Sequence, residues 1–302
     1  MACYKPLHGY RSKYLTKSGK RKIVFNKTDG YEDRPQSVKC GRCIGCRLDY
    51  SRQWAIRCLH EASLHPENAF ITLTYDEGHM PHGQTLIKKH HQDFIKRLRK
   101  KISPTKITYY HCGEYGETTQ RPHYHTLIFN YDWPDKVLYK QTESGPLYIS
   151  PQLEKTWGKG FCTIGQVNFE TAAYVARYIM KKITGEKAEE HYRRVDLDTG
   201  EEHTILPEYT TQSTRTPIGS RWLKKYKTDV YPHDYVIVNG RKMTPPRYYD
   251  EAFEKEEPEQ YLKLKRTRLE SSMRYYEDNQ PERLAVRETV AKARIKERDT
   301  SV

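Results

Sequence analysis

Polar positions outnumber apolar ones along most of the chain, and the apolar residues fall in short runs separated by Gly, Pro, Asn and Asp. Runs rich in β-branched and aromatic residues, bounded by turn formers, predict strands. Phe70-Ile71-Thr72-Leu73-Thr74-Tyr75, Thr108 to Gly116, the stretch ending in Thr126-Leu127-Ile128-Phe129 and Phe161 to Val167 all read this way, with a shorter strand at Ile23-Val24-Phe25. The segment from Gly116 to Pro122 is dense in turn formers, so the strands on either side of it are expected to pair as a hairpin. Asn239-Gly240 marks a second hairpin. Apolar spacings of three and four residues predict helices over 47–65, 88–102 and 170–185. Ser150-Pro151, an N-cap followed by proline at the first helical position, opens a short helix ending at Trp157. Residues 76–84 read as a loop, 131–150 as a polar insertion, 186–213 as a charged, mobile insertion and 215–249 as strand and loop. From Glu251 onward the pattern is helical and highly charged.

Composition narrows the class of partner. The 302 residues carry a formal net charge of +14, and 25 tyrosines stand against 7 phenylalanines. Such a basic chain suits a polyanion, with nucleic acid first, and tyrosines supply faces on which unpaired bases stack. The basic helix at 88–102 presents Lys96, Arg97, Arg99, Lys100 and Lys101 outward, and Trp54 and Arg57 suggest a DNA-facing edge on the helix before it. No run of 18 apolar residues offers a membrane span, and Met1 to His8 has no apolar signal core.

Two groups of residues carry chemistry. Cys40, Cys43 and Cys46, in C-x2-C-x2-C spacing with Gly41 and Gly45 between them, suit tetrahedral zinc, with Cys3, Cys58 or His60 available as the fourth ligand. Iron–sulfur proteins share this spacing, but no fourth cysteine follows at the position their pattern needs. Three of seven cysteines in one cluster argue for a reducing compartment rather than a disulfide framework. Cys112 and Cys162 read as buried apolar residues, and His79 and His82 as solvent-exposed. In the second group, His123 and His125 alternate with Tyr124 on a strand, so both imidazoles point to one face. Glu114, or Glu117, lies on the partner side of the hairpin and can add a carboxylate, which makes a divalent cation site. On the helix at 170–185, Ala172, Val175, Ala176, Ile179 and Ile183 form the core stripe, and Tyr174, Tyr178 and Lys181 the opposite one, with Lys182 at its border. A cation that polarises a phosphodiester, a phenol that attacks it and a lysine that stabilises the developing charge make a coherent set. A zinc-stabilised DNA-binding protein without activity, and a phosphodiesterase using water, are the competing readings.

This combination resembles a known family. His123-Tyr124-His125 is similar to the HUH motif of rolling-circle replication initiators, and Tyr174-Val175-Ala176-Arg177-Tyr178-Ile179-Met180-Lys181-Lys182 to the two-tyrosine motif of their microvirus branch. Cys3, the run Cys40 to Arg47 and Pro245-Pro246-Arg247-Tyr248-Tyr249-Asp250 resemble the gokushovirus-type initiators in particular. The resemblance implies an α+β fold with a central antiparallel sheet, helices on one face and the active site on the other. It implies four parts: 1–66 with the cysteine cluster and first helix, 67–185 as endonuclease core, 186–250 as accessory region and 251–302 as charged tail. It also implies Tyr174 and Tyr178 as nucleophiles, with Lys181 or Lys182 assisting. His123, His125 and Glu114 would hold manganese or magnesium, and Cys3, Cys40, Cys43 and Cys46 a structural zinc. The activity would be nicking and rejoining of single-stranded origin DNA through a 5′-phosphotyrosyl link. The partners would be the host polymerase and helicase, in the cytoplasm of a bacterial host.

Overall fold

The computed structural model of the chain describes residues 3–143, 145–177, 187–195 and 199–300. The chain divides into two compact units, Met1–Tyr50 with Tyr261–Val302, and Ser51–Gln260.

The first unit opens with strands β1 (Leu7–Leu15), β2 (Arg21–Val24) and β3 (Gly30–Val38), paired antiparallel in the order β2-β1-β3. This small sheet is largely exposed, with Tyr14, Leu15 and Phe25 all more than half accessible. The four cysteines 3, 40, 43 and 46 gather after it, and Cys46 lies in the first turn of helix α1 (Ile44–Ala62).

The second unit is built on one sheet. Its strands are β4 (Asn68–Leu73), β5 (Thr108–Tyr115), β6 (Pro122–Phe129), β7 (Val137–Thr142), β8 (Gly145–Ile149) and β9 (Cys162–Gly165), joined by β12 (Tyr209–Gln212). A two-stranded pair, β10 (Arg193–Val195) with β11 (Glu202–Thr204), precedes β12. The seven strands run β12-β5-β6-β4-β9-β8-β7, and every neighbouring pair is antiparallel.

Alternation along the strands sorts residues onto two faces. On one, Ile71 and Leu73 of β4 with Tyr124 and Ile128 of β6 meet Phe94, Ile95 and Leu98 of helix α2 (Lys88–Lys101) and Leu153 and Trp157 of helix α3 (Pro151–Trp157). Ser150 caps α3 through its hydroxyl, which accepts from the Leu153 N–H at 3.1 Å. On the other face, Tyr110 and Cys112 of β5 with Leu127 and Phe129 of β6 meet Trp54, Ala55 and Cys58 of α1 and Ala172, Val175 and Ala176 of helix α4 (Phe169–Arg177). Each such fully buried Leu or Phe contributes about 1.5–3 kcal/mol over its exposed state. The expectation of helices on one face alone is therefore corrected: β5 and β6 are buried on both sides, and α1 and α4 lie on the face that also carries His123 and His125. An α+β architecture with a central antiparallel sheet is what the chain adopts.

Three further expectations change. Residues 137–149, read as polar insertion, form the β7–β8 hairpin, and 209–212, read as mobile, form the opposite edge strand. Helix α6 (Ser220–Val230) lies in a stretch read as strand and loop. The Asn239-Gly240 turn does join β13 (Val236–Val238) to β14 (Arg241–Met243), with both turn residues at positive φ, 50° and 72°. Trp54 and Arg57 are not a DNA-facing edge. Trp54 is buried and stacks on Tyr110 at 4.6 Å, and the Arg57 guanidinium lies between the Trp54 and Tyr248 rings at 4.1 and 4.2 Å. Helices α5 (Lys187–Tyr192), α7 (Arg247–Glu256), α8 (Pro258–Met273) and α9 (Pro281–Thr300) complete the described elements, the last two matching the helical pattern of the charged tail.

Candidate active site and cysteine cluster

The β5–β6 register places Glu114 opposite His123 and Cys112 opposite His125, so all four side chains share one face. Glu114 Oε1 lies 2.7 Å from Nε2 of His123 and 2.7 Å from Nε2 of His125. Glu114 is almost wholly buried, and burial alone would raise its pKa. The hydrogen bonds from the two imidazoles outweigh that and hold the carboxyl below its ordinary value. Its other oxygen, Oε2, is buried without a hydrogen-bond partner. Glu117 is exposed on the hairpin turn, so the choice between the two acids falls to Glu114.

The opposite ring nitrogens fix the orientation of both imidazoles. Nδ1 of His123 faces the Arg121 carbonyl at 3.2 Å, which can only accept, so that nitrogen carries hydrogen and Nε2 is the one available to a cation. Nδ1 of His125 meets the Thr72 hydroxyl at 2.9 Å. The β4–β6 register sets Thr72 opposite His125, which is why the contact forms. The three ligand atoms lie within 4.8 Å of one another, a set able to hold a divalent ion. Nothing in the H-x-H pattern announced Thr72. Its signal was a threonine on the half-exposed phase of an otherwise apolar strand.

Helix α4 brings Tyr174 over this cluster. Asn168 caps the helix, its side chain accepting from Thr171 N–H at 2.8 Å while Thr171 Oγ1 accepts from Asn168 N–H at 3.0 Å. Ser51 of α1 donates to the Ala173 carbonyl at 2.9 Å and ties the helix in place. Small residues, Ala172 and Ala176, let α4 approach the sheet closely. The Tyr174 ring lies 5.1 Å from that of His125 at 82°, and 6.4 Å from Phe70 at 83°. Phe70 stacks on His125 at 5.5 Å. Tyr174 thus stands off the buried stripe, as expected, yet half-buried against the histidine rather than facing open solvent. Tyr178, Lys181 and Lys182, with Ile179 and Ile183, lie outside the described residues.

In the first unit the four cysteine sulfurs also lie within 4.8 Å of one another, and Cys3 supplies the fourth. Cys40–Cys46 and Cys43–Cys3 are each 3.9 Å apart, close to the edge of about 3.8 Å that a tetrahedron with metal–sulfur bonds of about 2.3 Å would have. Backbone N–H groups of Tyr4, Cys40 and Cys43 donate to cysteine sulfurs at 3.2–3.3 Å. Burial alone would raise the Cys43 thiol, but these donors and the neighbouring sulfurs outweigh it and bring its pKa down to about 6. Gly41, at φ +73°, makes the turn between the first two. The alternatives are used elsewhere: Cys58 is in the core, and His60 Nδ1 pairs with the Tyr249 hydroxyl at 2.9 Å. Cys112 and Cys162 are fully buried, and His79 and His82 are exposed, as their sequence contexts predict.

The profile of the "Replication-associated protein ORF2" family matches residues 68–183, from β4 through the tyrosine helix. The chain is 34% identical to the replication-associated protein VP4 of Bdellovibrio phage phiMH2K over 232 residues, covering 74% of this chain and 69% of that one. It is 30% identical to the replication-associated protein ORF2 of Spiroplasma virus 4 over 294 residues, covering 89% and 87%. The chain belongs to the replication-associated proteins of microviruses. A third member, the ORF4 protein of Chlamydia phage 1, is 26% identical over 242 residues, covering 75% and 57%. No solved structure matches this replication-associated protein. Among its described residues no helix is long and apolar enough to cross a membrane.

Proposed function

We propose that this replication-associated protein is an HUH-type nickase that opens and reseals one strand of origin DNA through a phosphotyrosyl link. The observation that carries the reading is the Tyr174 ring standing 5.1 Å from a histidine that shares a buried carboxylate with a second histidine. The donor set of two imidazoles and one carboxylate suits manganese, with magnesium the abundant alternative. Such an ion, held by Glu114, His123 and His125, would polarise a non-bridging phosphate oxygen and lower the cost of the developing charge.

The chain's own residues do the rest. Tyr174 loses its phenolic proton, and its oxygen attacks phosphorus. The bond from phosphorus to the 3′ oxygen breaks, leaving a 3′-hydroxyl and a 5′-phosphotyrosyl ester. No phosphate-ester energy is lost, so a later 3′-hydroxyl reverses the step without ATP. Arg121 and Thr72 hold the imidazole orientation from outside the ligand set. By the family resemblance, Tyr178 serves a second cleavage, Lys181 or Lys182 stabilises charge, and the freed 3′ end is handed to host polymerase and helicase in the bacterial cytoplasm. Zinc at Cys3, Cys40, Cys43 and Cys46 is assigned a structural role.

The test is denaturing electrophoresis of the protein with end-labelled single-stranded origin DNA and manganese, for wild type, Tyr174→Phe, Tyr178→Phe and the double variant. An adduct that survives denaturant and is lost in the double variant supports the reading. Cleavage without an adduct would replace it with a water-using phosphodiesterase, and binding without cleavage with a zinc-stabilised DNA-binding protein.

A further inference from the structure

The face that carries the histidine cluster is covered by α1 and α4 over β5 and β6, and is open farther along the sheet. On β4 the residues of this face, Phe70, Thr72 and Thr74, are half-exposed, whereas Ile71 and Leu73 behind them are buried. On β9, Thr163 and Gly165 repeat the pattern, with Cys162 and Ile164 buried behind. Beyond them β8 is half-open throughout, and almost every residue of β7 is exposed. The result is a shelf that starts at Thr72, which touches His125, and runs outward across β9 to the sheet edge.

Two aromatic rings stand on it. Phe161, next to Thr74 through the Thr74 N–H bond to its carbonyl at 3.0 Å, is 43% exposed. Tyr139 of β7 is 55% exposed and meets Phe161 edge-on at 5.4 Å. Packing asks for neither ring to stay outside, since the core on the reverse face closes without them. Gly160, at φ +144°, allows the chain to pass so close to Asp76 that a Cβ there would lie 2.4 Å from its backbone nitrogen, and this seats Phe161 beside Thr74. Lys140, exposed on β7, and Lys159, in the loop before Phe161, flank the rings. With strands about 4.8 Å apart and about 3.3 Å of rise per residue, Phe161 lies about 12 Å from His125 along the sheet.

We infer that the Phe161–Tyr139 shelf is a stacking platform for unpaired bases of the DNA strand that enters the histidine site. The inference rests on the proposed reading of that site. Its observations are exposed ring faces between lysines, on a chain of net charge +14, along the one open path from the cluster among the described residues. A second copy adding a strand to β7 fits less well. The strand carries a bulge between Leu138 and Lys140, with Lys140 inside it and Lys136 just before it, features that block edge-to-edge pairing.

The experiment is fluorescence anisotropy of labelled oligo-deoxythymidine with the full chain in chelator, so that no cleavage intervenes. Wild type, Phe161→Ala, Tyr139→Ala, the double variant and the aromatic swap Phe161→Tyr are compared, with a duplex of equal length as second probe. The expected result is about tenfold weaker single-strand binding for each ring lost, recovery in Phe161→Tyr and unchanged duplex binding. Equal affinity across all variants, or equal losses for single strand and duplex, would overturn the platform. So would a wild-type dimer that dissociates in the double variant with single-strand affinity unchanged. The adduct assay separates this from the reaction: an adduct in wild type with ring-independent binding removes the shelf alone, and ring-dependent binding without an adduct removes the reaction alone.

Discussion

The two candidate metal sites are built by opposite means. The cysteine cluster draws four like ligands from irregular backbone and a helix start, and its sulfurs already stand at the corners of a small tetrahedron. The histidine site draws three unlike ligands from two rigid strands in register, with its open side toward a tyrosine. A closed set of four is a staple, and an open set of three leaves coordination positions for a substrate oxygen. One chain carries both because a small, exposed three-stranded sheet has little core of its own, whereas the seven-stranded sheet is held by packing on two faces.

The largest effect should come from the staple. Cys40→Ser with Cys43→Ser should abolish about one bound zinc per chain and the amide-exchange protection of residues 3–50, in line with about 10–16 kcal/mol for structural zinc sites. Metal analysis should find that zinc retained in His123→Ala with His125→Ala. If zinc leaves with the histidines instead, the two sites are not distinct.

Acid should reach the second unit by a separate route. Burial holds His60 and His91 neutral, with pKa values drawn down to about 3 from 6.5. Above pH 6.5 these groups are neutral folded or unfolded, and their contribution is flat. As pH falls below 6.5 the unfolded chain takes up protons that the folded one refuses, so stability drops until about pH 3. At pH 5 the loss is about 2 kcal/mol for each, from 1.36 kcal/mol per pH unit. All four tryptophans, 54, 133, 157 and 222, lie in this unit, so urea titrations followed by tryptophan fluorescence report it directly. His60→Gln with His91→Gln should flatten the dependence.

Smaller effects sharpen the open site. Glu114→Gln removes a charged ligand and should weaken manganese binding, read by electron paramagnetic resonance, while zinc stays. The loss should exceed the roughly 10–100-fold that follows removal of an outer partner of a metal ligand. Thr72→Val acts only through the His125 ring and should cost about tenfold, at the low end of that range, with Thr72→Ser restoring most of it. A Thr72→Val protein that binds manganese like wild type would make the Thr72–His125 contact incidental.

The strand pair that holds the site was legible because alternation and a turn-rich link are local signals: His123, His125 and Glu114 fall where period two places them. Cys3 was legible as a residue type but not as a position, since it stands 37 residues before Cys40. The β7–β8 hairpin was missed for a physical reason. Exposed on both faces, β7 shows no apolar–polar alternation, and lysines bound its one apolar run, Val137-Leu138-Tyr139. The edge strand β12 hid in a charged stretch because it is held by pairing with β5. Helices on both faces could not be read from any single element, since the stripe on α4 says that it packs but not on which side.

The spacing of ligands along the chain also bears on the order of assembly. Glu114 and His125 are 11 residues apart and meet when one hairpin closes, whereas Cys3 and Cys43 must close 40. Loop-closure entropy rises by about 0.6 kcal/mol per doubling, so the cysteine loop costs about 1 kcal/mol more to close. The hairpin can find its register unaided and early, while the long loop gains most from a cation that arrives and stays.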